Sequence, residues 1–181
     1  MRCGCSPALL SAGRRGFTLL EMLVTVSILM LAAALVLITP FRAYMHARAA
    51  ADAASTLAQD LALLERVAQN GGVNDGATLE IISADPLIYE CYYGRPNAID
   101  PSSTLGSLIV RRSYDDVALT SGPIDASTPL LFASNGSAQY VSAGIWADQH
   151  QTIELTLTPS ADAARAGKVD LNLFTGGISL P

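Results

Sequence analysis

Glu21 is the side chain around which the N-terminal chemistry turns. It lies in a run of 22 residues, 17–38, that carries no other charged group. Crossing a bilayer takes about 20 mostly apolar residues. A carboxylate inside such a span costs roughly 2–3 kcal/mol or more, so an ionic partner is expected for it. Cutting the chain between Gly16 and Phe17 creates such a partner, because the new α-ammonium of a neighbouring copy would be a natural counter-ion for Glu21. The basic pair Arg14-Arg15 stands immediately before this junction. The pattern describes a subunit built to assemble.

Other reactive side chains offer little. Two histidines, His46 and His150, and three cysteines lie far apart, without the spacing of a metal site. Cys3 and Cys5 precede the junction and would be lost if the chain were cut there. Cys91, the one remaining, sits in a strand-like run and reads as a small buried hydrophobe rather than a nucleophile. Asp115-Asp116 and Asp125 do not form the spaced acidic pattern of a calcium loop, and phosphate-cradling or nucleophile-elbow glycine motifs are absent. No catalytic residue, metal or cofactor is expected. From Phe41 onward eight basic residues face fifteen acidic ones, a net charge of −7. That balance disfavours nucleic acid, whose binding relies on Lys and Arg neutralising phosphates.

The elements that must position these groups follow from periodicity. Ala47, Ala50, Ala54, Leu57, Leu61, Leu64 and Ala68 recur at spacings of three and four, one face of a helix. Arg48, Asp52, Ser55, Gln59 and Arg66 fall largely elsewhere on it. Asn70-Gly71-Gly72 is a stop signal, so residues 17–69 read as one long helix with a kink expected at Pro40. Strand composition follows at 77–82, 87–93 and 108–112. Residues 152–158 and 168–173 alternate strictly, as in an antiparallel sheet wet on one side. Asn135-Gly136 marks a hairpin and Gly176-Gly177 a turn into a short last strand. Residues 96–106 and 121–129 read as exposed, poorly ordered loops. Arg111 and Arg112, at alternating positions of a strand, should point apart and pair with nearby acids such as Glu80 or Glu90. Tyr89, Tyr92, Tyr93 and Tyr114 are expected to pack over the helix. Trp146 reads as a residue of a glycine-flanked loop that could be buried or form an interface anchor.

Arg14-Arg15-Gly16-Phe17-Thr18-Leu19-Leu20-Glu21 resembles the class III leader junction of type IV pilins and type II secretion pseudopilins. The resemblance covers about the first 40 residues. It implies that a membrane-embedded prepilin peptidase cuts after Gly16 and methylates the new N-terminal Phe17. It further implies that Glu21 serves assembly and subunit contact, with Arg14 and Arg15 as the basic residues of the leader. The expected architecture is α+β and pilin-like, a long N-terminal helix packed on an antiparallel β-sheet domain. Its expected parts are a leader at 1–16, a transmembrane helix half at 17–39, an amphipathic half at 40–70 and an extracytoplasmic β-rich domain at 71–181. Implied partners are the prepilin peptidase, other pilins or pseudopilins, an inner-membrane assembly platform and the lipid bilayer.

The tail adds a finer likeness. The hairpin at 131–137, the strands at 153–157 and 169–173, and Thr175-Gly176-Gly177-Ile178 resemble H-type minor pseudopilins and FimT-like minor pilins. A non-enzymatic structural subunit of the inner membrane is therefore expected, of H-type or FimT-like kind. Competing readings fit less well. An ordinary membrane anchor leaves Glu21 unexplained. A secretory signal has an apolar core of 7–15 residues and a nearby small-residue site, whereas Ala47-Arg48-Ala49 lies far beyond this longer run. Arg2, Arg14 and Arg15 before the span place the N-terminus inside, although Arg42 and Arg48 just after it weaken that bias.

Overall fold

The computed structural model describes residues 18–71, 76–97, 106–125, 127–142, 145–147, 151–160 and 165–181. The chain divides into two units at Pro40. Helix α1, Leu19–Asn70, carries residues of both, within two residues of the bounds its periodicity predicts. Thr18 starts it: the Glu21 amide donates to Thr18 Oγ1 (3.2 Å), and the Glu21 and Met22 amides donate to the Thr18 carbonyl. Thr-x-x-Glu is the residue pattern of a capping box, so the residue that starts the helix is also the one that fixes where Glu21 stands in its first turn.

Within the first unit, every described side chain from Thr18 to Ile38 is exposed. The segment is long and apolar enough to cross a membrane. Its hydroxyls suit that environment, because Thr25 Oγ1 donates to the Met22 carbonyl (3.0 Å) and Ser27 Oγ to the Leu23 carbonyl (2.8 Å). Such back-bonding pairs these two hydroxyl protons within the helix. Pro40 lies inside the helix and removes the amide that would otherwise serve the Val36 carbonyl.

In the second unit the outer part of α1 has two unlike sides. Ala50, Ala53, Ala54, Leu57, Leu61, Leu64 and Ala68 are buried in one apolar core, while Arg48, Asp52, Gln59 and Arg66 are exposed and Ala47 and Ser55 are half-buried. The α+β arrangement, a long N-terminal helix followed by antiparallel sheets, is as expected for a pilin-like fold. The difference lies in the number of sheets. Strands β1 (Ala77–Ala84), β2 (Leu87–Tyr93), β3 (Leu108–Tyr114), β4 (Val117–Ser121), β5 (Leu130–Phe132), β6 (Ala138–Ser142), β7 (Ile145–Ala147), β8 (Thr152–Pro159), β9 (Gly167–Asn172) and β10 (Ile178–Ser179) form two sheets rather than one. The larger runs β3-β2-β1-β5-β6-β7 and the smaller β10-β9-β8-β4.

β4 explains the split. It follows β3 through the tight Asp115-Asp116 turn, yet it pairs with β8, Leu119 opposite Leu157, and not with its sequence neighbour. Leu79, Ile81 and Tyr89 of the larger sheet and Leu155, Val169 and Leu171 of the smaller join the helix stripe in the same core. Burying each such Leu or Ile contributes about 1.5–3 kcal/mol. The sheets are also bonded to each other: the Ala138 amide of β6 donates to the Leu173 carbonyl just after β9 (2.7 Å). At Gly167 the smaller sheet meets the helix so closely that a Cβ there would lie 2.6 Å from the Ala50 carbonyl oxygen. Only glycine permits that approach.

Two loop expectations need correcting. The stretch 121–129 is not simply an exposed loop, because Ile124 is buried in the core and Asp125 Oδ1 accepts from the Ser127 amide (2.8 Å), Ser127 Oγ (2.7 Å) and Thr128 Oγ1 (2.9 Å). These donors hold the Asp125 carboxyl below its ordinary range. An apolar plug and a self-bonded turn order what composition alone marks as loose. Trp146 belongs to β7, opposite Val141, and not to a loop; its side chain and residues 98–105 of the other loop lie outside the described residues.

Candidate functional site

Arg14, Arg15, Gly16 and Phe17 lie outside the described residues. Glu21 is described: exposed, in the first turn of α1, and flanked by exposed Leu19, Leu20, Met22 and Leu23. Among the described residues its carboxylate has no hydrogen-bond or ionic partner. An anion near a helix N-terminus gains from the first-turn amides and dipole, about 0.3–1 kcal/mol, well short of the cost of an unpaired charge in hydrocarbon. The charge therefore calls for a cation from elsewhere.

A second carboxylate on the same helix is in the opposite situation. Asp60 is buried on the core-facing stripe. Tyr89 Oη donates to Asp60 Oδ2 (2.8 Å), Arg112 Nε to the same oxygen (3.0 Å) and Arg112 Nη2 to Oδ1 (3.3 Å). This two-pronged guanidinium contact is the strong form of an ion pair, and it ties α1 to β2 and β3 across the core. Tyr114 stacks on Tyr89 with ring centroids 6.3 Å apart. Burial, followed by the bond to Asp60 and the carboxylate's charge, holds the Tyr89 phenol protonated far above its ordinary range. The hydrogen bond to Asp60 and its charge raise Arg112 in the same sense. Cys91 is buried beside the cluster, its thiol pushed up to about 12 by burial and then by the Asp60 charge. A thiol so reluctant to ionise is no nucleophile.

The two arginines do point apart, as their alternation requires. Arg111 stands on the other face of the larger sheet and pairs with Glu90 across the strands (3.0 Å), as the pairing rule predicts. Arg112 instead reaches the helix, not a sheet acid. On the outer face Glu80 sits directly opposite Glu90, and burial and then the Glu90 charge raise its carboxyl. Tyr92 donates to Glu90 Oε2, which pushes its phenol up to about 12. Three of the four tyrosines thus lie on the helix side: Tyr89 and Tyr114 as described, and Tyr93, whose Oη donates to the Gly71 carbonyl at the end of α1 (3.1 Å). Tyr92 is the exception. Among the described residues no three His, Cys, Asp or Glu side chains converge as a metal would need.

Asp60 has a signal in the sequence that the alternation of Ala and Leu conceals. It stands three residues after Leu57 and four before Leu64, which places it on the buried stripe and demands a cation from the sheet.

Residues 11–37 match the family described as the prokaryotic N-terminal methylation motif. The matched segment contains Arg14, Arg15, Gly16, Phe17 and Glu21. The chain thus carries a type IV pilin-like prepilin signal, which implies processing by a prepilin peptidase and assembly with other pilins, and its apolar helix is a candidate membrane anchor. No curated protein and no solved structure matches the chain.

Proposed function

We propose that this chain is a non-enzymatic minor pseudopilin of H-type, a structural subunit of a type II secretion pseudopilus. The observation that carries the reading is Glu21, a carboxylate without a partner among the described residues, in an apolar helix inside the methylation-motif segment. In this reading the peptidase cuts after Gly16 and Phe17 becomes the methylated N-terminus. Helices of successive subunits then leave the bilayer and pack together. Glu21 neutralises the Phe17 ammonium of its neighbour, and that pairing sets the register while lipid contacts are exchanged for protein contacts. The basic Arg14-Arg15 pair marks the cytoplasmic side of the leader, and the platform in the inner membrane drives extraction.

The alternative is a FimT-like minor pilin of a type IV pilus, which shares stem and fold. The acidic domain favours secretion over DNA uptake. Arg112 is engaged by Asp60 and Arg111 by Glu90, so the one basic pair beyond the leader is committed to carboxylates of the chain itself. A membrane-anchored binding domain without an assembly role is the reading from another class.

Mass spectrometry of the protein from its native membrane tests the cleavage: a mature chain starting at methylated Phe17 is expected, and an intact leader or another start refutes the reading. Glu21→Leu separates assembly from mere anchoring, with insertion retained and incorporation into filaments lost. Deleting the gene and assaying both exoprotein release and twitching or transformation separates the two filament types. Loss of the pilus phenotypes alone would transfer the protein to the pilus.

A further inference from the structure

The first two turns of α1 beyond the apolar run carry an exposed patch that the described residues of the chain's own domain leave uncovered. Phe41, Tyr44 and Met45 are 64%, 56% and 50% exposed, and Arg42 and Arg48 stand out beside them. At about 100° per residue, Phe41, Tyr44, Met45 and Arg48 fall on one side of the helix. The opposite side holds Ala50 and Ala54, closed against Gly167. Among the described residues nothing covers the patch.

Its charge identifies the occupant. Residues 41–51 hold two arginines and no acid, whereas residues 52–181 hold six basic and fifteen acidic side chains, a net −9. Beyond the span, the stretch that directly follows the membrane-crossing segment in the chain is thus net positive and the remainder strongly net negative. Among the described residues Arg48 is bound only by Asp52, at 3.6 Å and with both side chains largely in solvent, a pair weak enough to open. Aromatic side chains with an apolar body and a polar tip, like Tyr44, belong at the level of lipid headgroups, and long basic side chains reach from there to phosphate.

We propose that residues 41–48 dock on anionic phospholipid headgroups. Phe41 and Met45 enter the headgroup–acyl boundary, Tyr44 lies at it, and Arg42 and Arg48 pair with lipid phosphates. This docking holds the acidic domain against a surface that would otherwise repel it and gives Arg42 and Arg48 a role on the side of the span where positive charge is uncommon. It rests on the membrane reading of 17–38 and is independent of filament type.

Lipid selectivity at Tyr44 tests the proposal. The full chain carrying Tyr44→Trp and Trp146→Phe is reconstituted at low copy number in vesicles of 3:7 phosphatidylglycerol and phosphatidylcholine, with one lipid brominated on its acyl chains at a time. Brominated phosphatidylglycerol should quench the fluorescence beyond its share of the lipid, corresponding to a relative affinity of several-fold, about fivefold for each arginine. Arg42→Gln with Arg48→Gln should abolish the preference, and Arg42→Lys with Arg48→Lys should retain it. Quenching by the two lipids in proportion to their abundance overturns the proposal. Quenching that falls as copy number rises assigns the patch to a second copy and overturns it as well. Absence of quenching by either lipid refutes instead the membrane reading on which the proposal rests.

Discussion

Helix α1 places one carboxylate among apolar residues in each of its two halves, and the two are satisfied in opposite ways. Asp60 is buried and receives three hydrogen bonds from Tyr89 and Arg112. Glu21 is exposed among leucines and receives none to its carboxylate from the described residues. The same chemical problem has an internal solution in the domain and none among the described residues of the apolar segment. A charge among apolar groups must be paired, so Glu21, unlike Asp60, needs a partner from beyond the described residues. The comparison separates residues that make this fold from residues that join it to something else.

The largest effect should come from the apolar stripe that surrounds Asp60. Leu61→Ala, in the segment from residue 41 onward, is expected to cost about 2–5 kcal/mol in denaturant melts, because the lost contacts leave a cavity between helix and sheets. Melting like the parent would show that the stripe is not what fastens the helix. Next, Asp60→Ala should cost about 2–4 kcal/mol by stranding Tyr89 and Arg112, the half-exposed guanidinium recovering part of the loss from water. Combining Asp60→Leu with Arg112→Met should cost less than Asp60→Ala alone. If the double change is the worse of the two, the pair contributes more than it costs to bury.

Alkaline titration sharpens the same contrast. The Tyr89 phenol ordinarily titrates at 10.0 and the Cys91 thiol at 9.0, and both are raised in the fold. The unfolded chain then loses these protons while the folded one keeps them, so stability is complete below about pH 9 and falls as pH rises from there. Tyr89→Phe and Cys91→Ala should each flatten the decline in melting temperature between pH 9 and 11. An unchanged slope would place the alkaline weakness elsewhere.

On the outer sheet face, Glu80 and Glu90 stand opposite one another with only Glu90 paired to Arg111. Glu80→Gln should therefore raise stability at pH 7, by roughly 0.2–1 kcal/mol given partial screening by solvent. The effect should vanish in acid, where Glu80, with its raised pKa, is neutral already. Destabilisation at pH 7 would mean that its charge is used. Smallest of all should be Glu21→Leu, which is expected to leave the melting of the β-rich domain unchanged. A shift there would show that Glu21 is satisfied within its own chain, and the contrast with Asp60 would collapse.

Both halves of α1 were legible from residue order because their causes are local. A mostly apolar run of 22 residues and a three-four recurrence of Ala and Leu need no knowledge of distant residues. The junction around Gly16 and Glu21 is likewise a matter of spacing. The alternating strands β8 and β9 and the Asn135-Gly136 hairpin carry the same kind of signal, since a pleat repeats every two residues. Asp60 was missed although its spacing carries the same signal; its partner Arg112 lies 52 residues away, and nothing local distinguishes that arginine from Arg111 beside it. The choice of β8 rather than β3 as the neighbour of β4 is of the same kind. A tight turn favours pairing between consecutive strands, and here the need to bury Val117 and Leu157 in one core outweighed it. Period and spacing specify which way a side chain faces, because they act within one element. Which element it meets depends on how several apolar faces close over a shared core, and that is settled only when the whole chain is folded.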